Sequence, residues 1–149
     1  MALAIGCAEP APPAAVPPID AAPEHDTATA TYVEGSERVW NEARERGVVF
    51  RAVGEEPGWL LEIQATGEVL LLTDYAQDTV RASIPAAEVA RSAGTTSFVT
   101  GTEGGGEIRI DIRSEPCTDT MSGERFSRTV TVVREDGEYR GCGRPLTSP

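Results

Sequence analysis

Hydrophobic and polar positions alternate with a period of two over much of this chain. The cleanest stretch is Glu107–Arg113. Ile108, Ile110 and Ile112 share one face there, and Glu107, Arg109, Asp111 and Arg113 the other, the mark of a half-buried strand. Gly58–Ala65 repeats the pattern, with Trp59, Leu61, Ile63 and Ala65 opposed to Leu60, Glu62 and Gln64. Val48–Val53, Glu68–Thr73, Asp78–Ile84, Thr95–Thr100, Phe126–Arg134 and Glu138–Cys142 are further candidate strands. Thr66-Gly67 and Asp136-Gly137 supply hairpin turns, and the glycine-rich run Gly101–Gly106 reads as a mobile hairpin loop. Pro85–Ala93 fits either a one-turn helix opened by Pro85 or an irregular connection.

One segment departs from that period. Ser36 is placed to cap a helix, Glu37 falls in its first turn, Arg44 and Arg46 in its last, and Gly47 follows it. Val39, Trp40 and Ala43 share one face, and Glu42 is spaced to pair with Arg46. Trp40 reads as a plug that packs this helix onto the next layer. One helix followed by about eight short strands predicts a mainly β fold, a small antiparallel β-barrel whose closure removes exposed edges. A two-sheet β-sandwich is the alternative. The interior of so small a barrel holds side chains or one small ligand.

Ahead of residue 31 the alternation lapses. Pro10, Pro12, Pro13, Pro17, Pro18 and Pro23 lie among Ala and a few acids, with little bulk beyond Val16 and Ile19. Residues 8–30 therefore read as a disordered, extended Pro/Ala spacer that buries too little to offset its ordering entropy. The chain divides into residues 1–7, the spacer over 8–30, and a single domain over 31–149. Residues 1–7 read Met-Ala-Leu-Ala-Ile-Gly-Cys and resemble the end of a bacterial lipoprotein signal peptide, in which the Cys becomes the lipid-modified first residue. The segment lacks a basic n-region and its apolar part is short. The expectation is a start assigned late or a trimmed chain, with Cys7 as the lipidation site and the membrane as its partner. The plainer alternative is an exposed Cys of no particular role.

Composition narrows the function classes. The 149 residues carry 24 Asp plus Glu against 13 basic residues, all Arg, for a net charge of −11. Nucleic acid is excluded as a partner, because binding it needs a basic face to displace counterions. Glu9, Asp20, Glu24 and Asp26 precede residue 31 and no Arg does, which leaves the domain near −7. One His and three Cys are too few for a Cys/His zinc site. No apolar run approaches the ~20 residues of a membrane-spanning helix. No cofactor is implied, since Gly101–Gly106 lacks the Lys and following helix of a phosphate loop.

Three cysteines make an odd number. Pairing Cys117 with Cys142 would close a loop worth about 3 kcal/mol by chain entropy and leave Cys7 for lipid. It would also fit an oxidising compartment. The competing arrangement, two reduced thiols in the cytosol, leaves Cys7 without a role.

Two motifs look familiar. Phe50-Arg51-Ala52-Val53-Gly54-Glu55-Glu56-Pro57-Gly58-Trp59 resembles the opening of a family of bacterial envelope lipoproteins. Cys117-x-Asp119-x-Met121-Ser122-Gly123-Glu124-x-Phe126 and Tyr139-Arg140-Gly141-Cys142-Gly143 resemble its C-terminal signatures. Glu55 stands where that family usually has Asn or Gln. The resemblance spans about residues 36–146. It implies an anchored periplasmic β-domain, of a kind found beside META-type or lysozyme-inhibitor domains, and no established activity. As scaffold, Pro57 and Gly58 aim Trp59 at the core. Gly123 permits a turn with Met121 and Phe126 packing on either side, and Asp119 caps it through backbone N–H groups. As a site, Glu55, Glu56, Trp59, Asp119, Ser122 and Glu124 are candidate binding residues, presented mostly in turns.

No catalytic residue is assigned. The single His, His25, lies in the spacer, so no Ser–His or Cys–His pair assembles in the domain, and no carboxylate pair is selected by spacing. A structural or binding module is expected instead. Its partner would be an envelope protein, a cationic protein such as a c-type lysozyme drawn by the negative field, or a small molecule in a barrel mouth near Trp59 and the glycine-rich loop.

Overall fold

A computed structural model describes residues 37–85 and 89–146. The expectations for Cys7, the spacer and the Ser36 cap lie outside the described residues. Helix α1 spans 37–45 and is ended by Gly47 at φ +87°, a conformation glycine adopts without a Cβ penalty. Eleven strands follow: β1 (Val48–Gly54), β2 (Trp59–Gln64), β3 (Glu68–Thr73), β4 (Asp78–Ser83), β5 (Val89–Ser92), β6 (Thr95–Gly101), β7 (Glu107–Arg113), β8 (Cys117–Thr118), β9 (Arg125–Phe126), β10 (Arg128–Arg134) and β11 (Gly137–Pro145). Nine form one antiparallel sheet in the order β4-β3-β2-β1-β11-β10-β7-β6-β5, and β8 pairs with β9 alone.

The expected mainly β fold is what forms, with the large sheet curled into a half-barrel. The curl brings β4 back to β6, where an antiparallel bridge joins Ala82 to Thr102. The Thr100 hydroxyl donates to the Ser83 carbonyl at 2.7 Å, and the Glu103 N–H donates to the Arg81 carbonyl at 2.9 Å. β5 runs along the same side of β6, from Val89↔Phe98 to Ser92↔Thr95. β4 and β5 thus both meet β6 along the seam, at Ala82↔Thr102 and at Val89–Ser92. Over Val89–Ser92 this pairing corrects the expectation of a one-turn helix or irregular connection, and Ala93 at φ +40° and Gly94 at φ +82° turn the strand into β6; the part of that expectation on residues 86–88 lies outside the described residues.

The period-two pattern sorts most side chains as predicted; Ala65, expected on the inward face, is exposed in the turn after β2, and Glu62, on the other face, is buried beneath α1. Phe50, Ala52, Trp59, Leu61, Ile63, Val69, Leu71, Ile108, Ile110, Ile112, Val130 and Val132 fill the concave interior. Leu61, Leu71 and Ile110 are fully buried, each stabilising the fold by about 1.5–3 kcal/mol. A second, smaller cluster lies under α1: Trp40, Ala43, Val48, Phe126, Cys142 and Leu146. A register shift between Val48 and Phe50 explains how two residues spaced for one face serve different cores. Trp40 is the expected plug, 5.3 Å from the Phe126 ring.

Four local expectations are corrected. Val39 is 39% exposed, because Trp40 and Ala43 alone define the docked face. Glu42 pairs with Arg38 at 3.7 Å, while Arg46, already past the helix, reaches Glu62 on β2 at 3.0 Å. Met121 is 71% exposed, and only Phe126 packs inward from its turn. The last hairpin closes on the pair Arg134↔Gly137, so Glu135 and Asp136 form the turn and Gly137 already belongs to β11.

Candidate functional site

Because the large sheet is antiparallel throughout, the β1–β2, β3–β4, β6–β7 and β10–β11 turns all emerge at one end. Each carries carboxylates: Glu55 and Glu56, Asp74, Glu103, and Glu135 with Asp136. Above the Ala82–Thr102 bridge the seam parts, and a cleft of about 550 Å³ opens between Asp78–Arg81 of β4, the Thr102–Gly106 loop and the Arg134–Asp136 turn.

Arg134 organises the cleft floor. Its Nη1 donates to Asp78 Oδ2 at 3.0 Å and to the Thr73 hydroxyl at 3.3 Å. Its Nε lies 3.3 Å from Asp136 Oδ1. The Tyr139 hydroxyl donates to Asp136 Oδ2 at 3.0 Å. The Arg134 hydrogen bond, helped by the Thr73 hydroxyl and the Thr79 backbone against a smaller effect of burial, holds the Asp78 carboxyl below its ordinary range. Burial first, then the Asp136 carboxylate, pushes the Tyr139 phenol up. None of these residues is a candidate site residue from the sequence, where Tyr139 enters only through the Tyr-x-Gly-Cys-Gly motif and Asp136 only through a hairpin turn. They join strands up to 61 positions apart, and the only local signal was the acidic hairpin turn at Glu135–Asp136.

The predicted binding residues are distributed among four places. Glu55 and Asp119 come together with Thr118 and the Cys117–Cys142 disulfide around a groove of about 260 Å³. Ser122 and Glu124 belong to the neighbouring turn. The Ser122 N–H donates to Asp119 Oδ2 at 2.8 Å, the Glu124 N–H to the Ser122 hydroxyl at 3.2 Å, and the Gly123 N–H to the Asp119 carbonyl at 2.8 Å. Asp119 thus ties the turn through backbone N–H groups. Burial acts to raise its carboxyl, but the Ser122 hydroxyl and the N–H groups of Ser122 and Met121 outweigh it and hold it below the ordinary range. Glu56, at φ +58° before a cis Glu56–Pro57 bond, sits in the β1–β2 turn.

Trp59 points inward. It is 5% exposed, and its indole N–H donates to the Arg140 carbonyl at 3.2 Å. The ring takes the volume that side chains at two glycines would need. A Cβ at Gly54 would lie 2.1 Å from Trp59 Nε1, and one at Gly141 would lie 2.8 Å from Trp59 Cζ2. The glycine-rich loop lines the cleft, and Trp59 does not.

On the opposite, convex side lies a buried ion pair beneath α1. Arg51 and Glu62 are 8% and 4% exposed, 3.7 Å apart. Arg51 Nη1 donates to the Val39 carbonyl at 2.9 Å, and Arg51 Nε has no partner. Burial pulls the Arg51 guanidinium below its ordinary value against the attraction of Glu62, and Arg46 adds to the lowering. Arg51 and its cross-strand partner Arg144 both face Trp40, at 5.2 and 4.7 Å from its ring.

Among the described residues no group of His, Cys, Asp and Glu is arranged to hold a metal ion, and no helix is long and apolar enough to cross a membrane. No family model, curated protein or solved structure matches the chain.

Proposed function

We propose that the chain is a lipid-anchored envelope module with a non-catalytic structural or binding role, held on the periplasmic side of a bacterial membrane through Cys7. The observation that carries this reading is the Cys117–Cys142 disulfide. It agrees with an oxidising compartment and uses both cysteines of the domain, so that Cys7 remains for acylation. The likeness of residues 1–7 to a lipoprotein signal, the Pro/Ala spacer and the two lipoprotein-like motifs point the same way. An interior filled by Trp59 and its neighbours suits a scaffold or surface binder. Mass spectrometry of the mature protein from its own host tests the anchor: acyl chains on Cys7 are expected, and an unmodified Cys7 removes it.

A second reading, a binder of a cationic protein such as a c-type lysozyme, is supported by the carboxylates in all four hairpin turns at one end. Inhibition of lysozyme at micromolar protein is expected on that reading, and unchanged lysozyme activity would remove the lysozyme version of it.

A further inference from the structure

Tyr75 is 68% exposed, in the β3–β4 turn at the acidic end. Three successive residues of that turn, Asp74, Tyr75 and Ala76, have φ of +49°, +54° and +67°. This left-handed conformation is disfavoured for residues with a Cβ and persists only where the surroundings enforce it. The enforcing contacts are visible. The Tyr75 N–H donates to the Gly58 carbonyl at 2.9 Å and the Gln77 N–H to the Asp74 carbonyl at 3.1 Å. The Thr73 hydroxyl donates to Asp78 at 3.2 Å, which Arg134 also holds. The phenol ring covers the backbone of Gly58, where a Cβ would lie 2.6 Å from Tyr75 Cδ1 and 2.7 Å from Cε1. One side of the ring therefore rests on bare glycine backbone, and most of the remainder faces water.

A ring fixed in this way presents a π-face at little further entropic cost on binding. The charges nearby select what would use it. Asp74 adjoins Tyr75, and Glu55 and Glu56 lie in the turn whose Gly58 supports the ring, while neither turn contains an Arg. A neutral sugar could stack on the ring and donate hydroxyls to those carboxylates, but it would leave their negative charge unbalanced. A cation uses both features.

We propose that Tyr75, seated on Gly58, is the stacking platform for a guanidinium or ammonium group presented by a basic protein. This rests on the partner being a cationic protein. The group would sit over the exposed face within about 6 Å of the ring centre, by cation–π attraction, with Asp74, Glu55 and Glu56 balancing its charge. Gly58, which reads as a strand-opening residue in the sequence, acquires a second role as the bare surface beneath the ring.

Hexa-arginine binding to the full chain at low ionic strength tests this, by calorimetry and by proton NMR of the peptide. The wild-type protein should bind, with arginine side-chain protons shifted upfield by the ring current. Tyr75→Ala should weaken binding about two- to fivefold and abolish the upfield shift, whereas Tyr75→Phe should keep both. Circular dichroism should show Tyr75→Ala folded, since the ring it removes is largely exposed. Absence of binding by the wild-type protein would overturn both the cationic-partner reading and the platform. Binding that Tyr75→Ala leaves unchanged, with no upfield shift, would overturn the platform alone. Tyr75-dependent binding of a neutral chito-oligosaccharide in place of the peptide would overturn the cationic class of ligand.

Discussion

Glu62→Gln should destabilise this protein far more than the near-isosteric exchange of one carboxylate oxygen for an amide NH2 would suggest. Glu62 is 4% exposed and lies beside Arg51, itself 8% exposed. At the effective dielectric of about 20 suited to protein sites, unit charges 3.7 Å apart attract by about 4–5 kcal/mol. Arg46 contributes less, because its side chain is 55% exposed and such pairs are worth about 0–1 kcal/mol. The substitution strands a buried guanidinium whose Nε already lacks a partner, so the expected loss is about 3–5 kcal/mol. With a urea slope of about 2 kcal/mol/M, the unfolding midpoint falls by about 1.5–2.5 M. Arg51→Met combined with Glu62→Met removes both charges and keeps the volume beneath α1. It should return to within about 1 kcal/mol of wild type or exceed it. Urea titration followed by far-ultraviolet circular dichroism, with the disulfide intact, measures all three proteins. A Glu62→Gln loss below about 1 kcal/mol, or a double variant no more stable than the single one, would refute the account of a paired buried charge.

Further outcomes follow from the same geometry. Gly141→Ala places a Cβ 2.1 Å from the Val53 carbonyl and 2.8 Å from the Trp59 ring, and should cost about 3 kcal/mol or more in the same titration; a wild-type midpoint would show that the Trp59 pocket has slack. Cys117→Ser with Cys142→Ser should lower stability by about 3 kcal/mol, from the chain entropy of a 25-residue separation, read as a fall in thermal midpoint. Asp78 and Asp119 both have carboxyls held below the ordinary value near 4 in the fold. Their contribution is therefore complete above about pH 4 and is lost as pH falls through the lowered values. Urea midpoints measured from pH 6 to pH 2 should drop less steeply for Asp119→Asn than for wild type; parallel curves would exclude Asp119 as a source of acid sensitivity.

The longer strands are legible because each satisfies a local rule. Glu107–Arg113 alternates without a fault and forms β7 with those limits, and the Trp59, Leu61, Ile63 series faces the interior as read. The disulfide followed from counting cysteines. Legibility failed where a residue's fate depends on a distant partner. Helical spacing matches Arg46 to Glu42 one turn away, yet the buried carboxylate of Glu62 on β2 takes it at 3.0 Å. Val89–Ser92 has weak strand character alone and is made a strand by β6. Cys117–Thr118 and Arg125–Phe126 are two-residue strands, too short for any period to register. The reason for the Tyr-x-Gly-Cys-Gly run lies in other strands. Gly141 and Gly143 are small because Trp59 and Phe50 occupy their space, and Cys142 between them forms the disulfide with Cys117. Of the candidate site, the turns at Glu55 and Asp119 were found, whereas Tyr75 carries no local signal beyond an aromatic in a turn.

The central pairing of β1 with β11 has a mechanical consequence. Phe50 pairs with Pro145, and the Leu146 N–H donates to the Val49 carbonyl, so the chain enters and leaves the sheet side by side, opposite the acidic hairpin end. A partner gripping the hairpin end, and a pull from the chain ahead of residue 37, would stretch β1 along its own length. In that direction the ladders to β2 and β11 resist together in shear instead of opening one bond at a time. The helix would feel the force first, through the Arg144–Glu37 contact at 3.0 Å and the Arg51–Val39 hydrogen bond. α1 can therefore yield and lengthen the connection before the sheet is strained, as a compliant element in series with a stiff one.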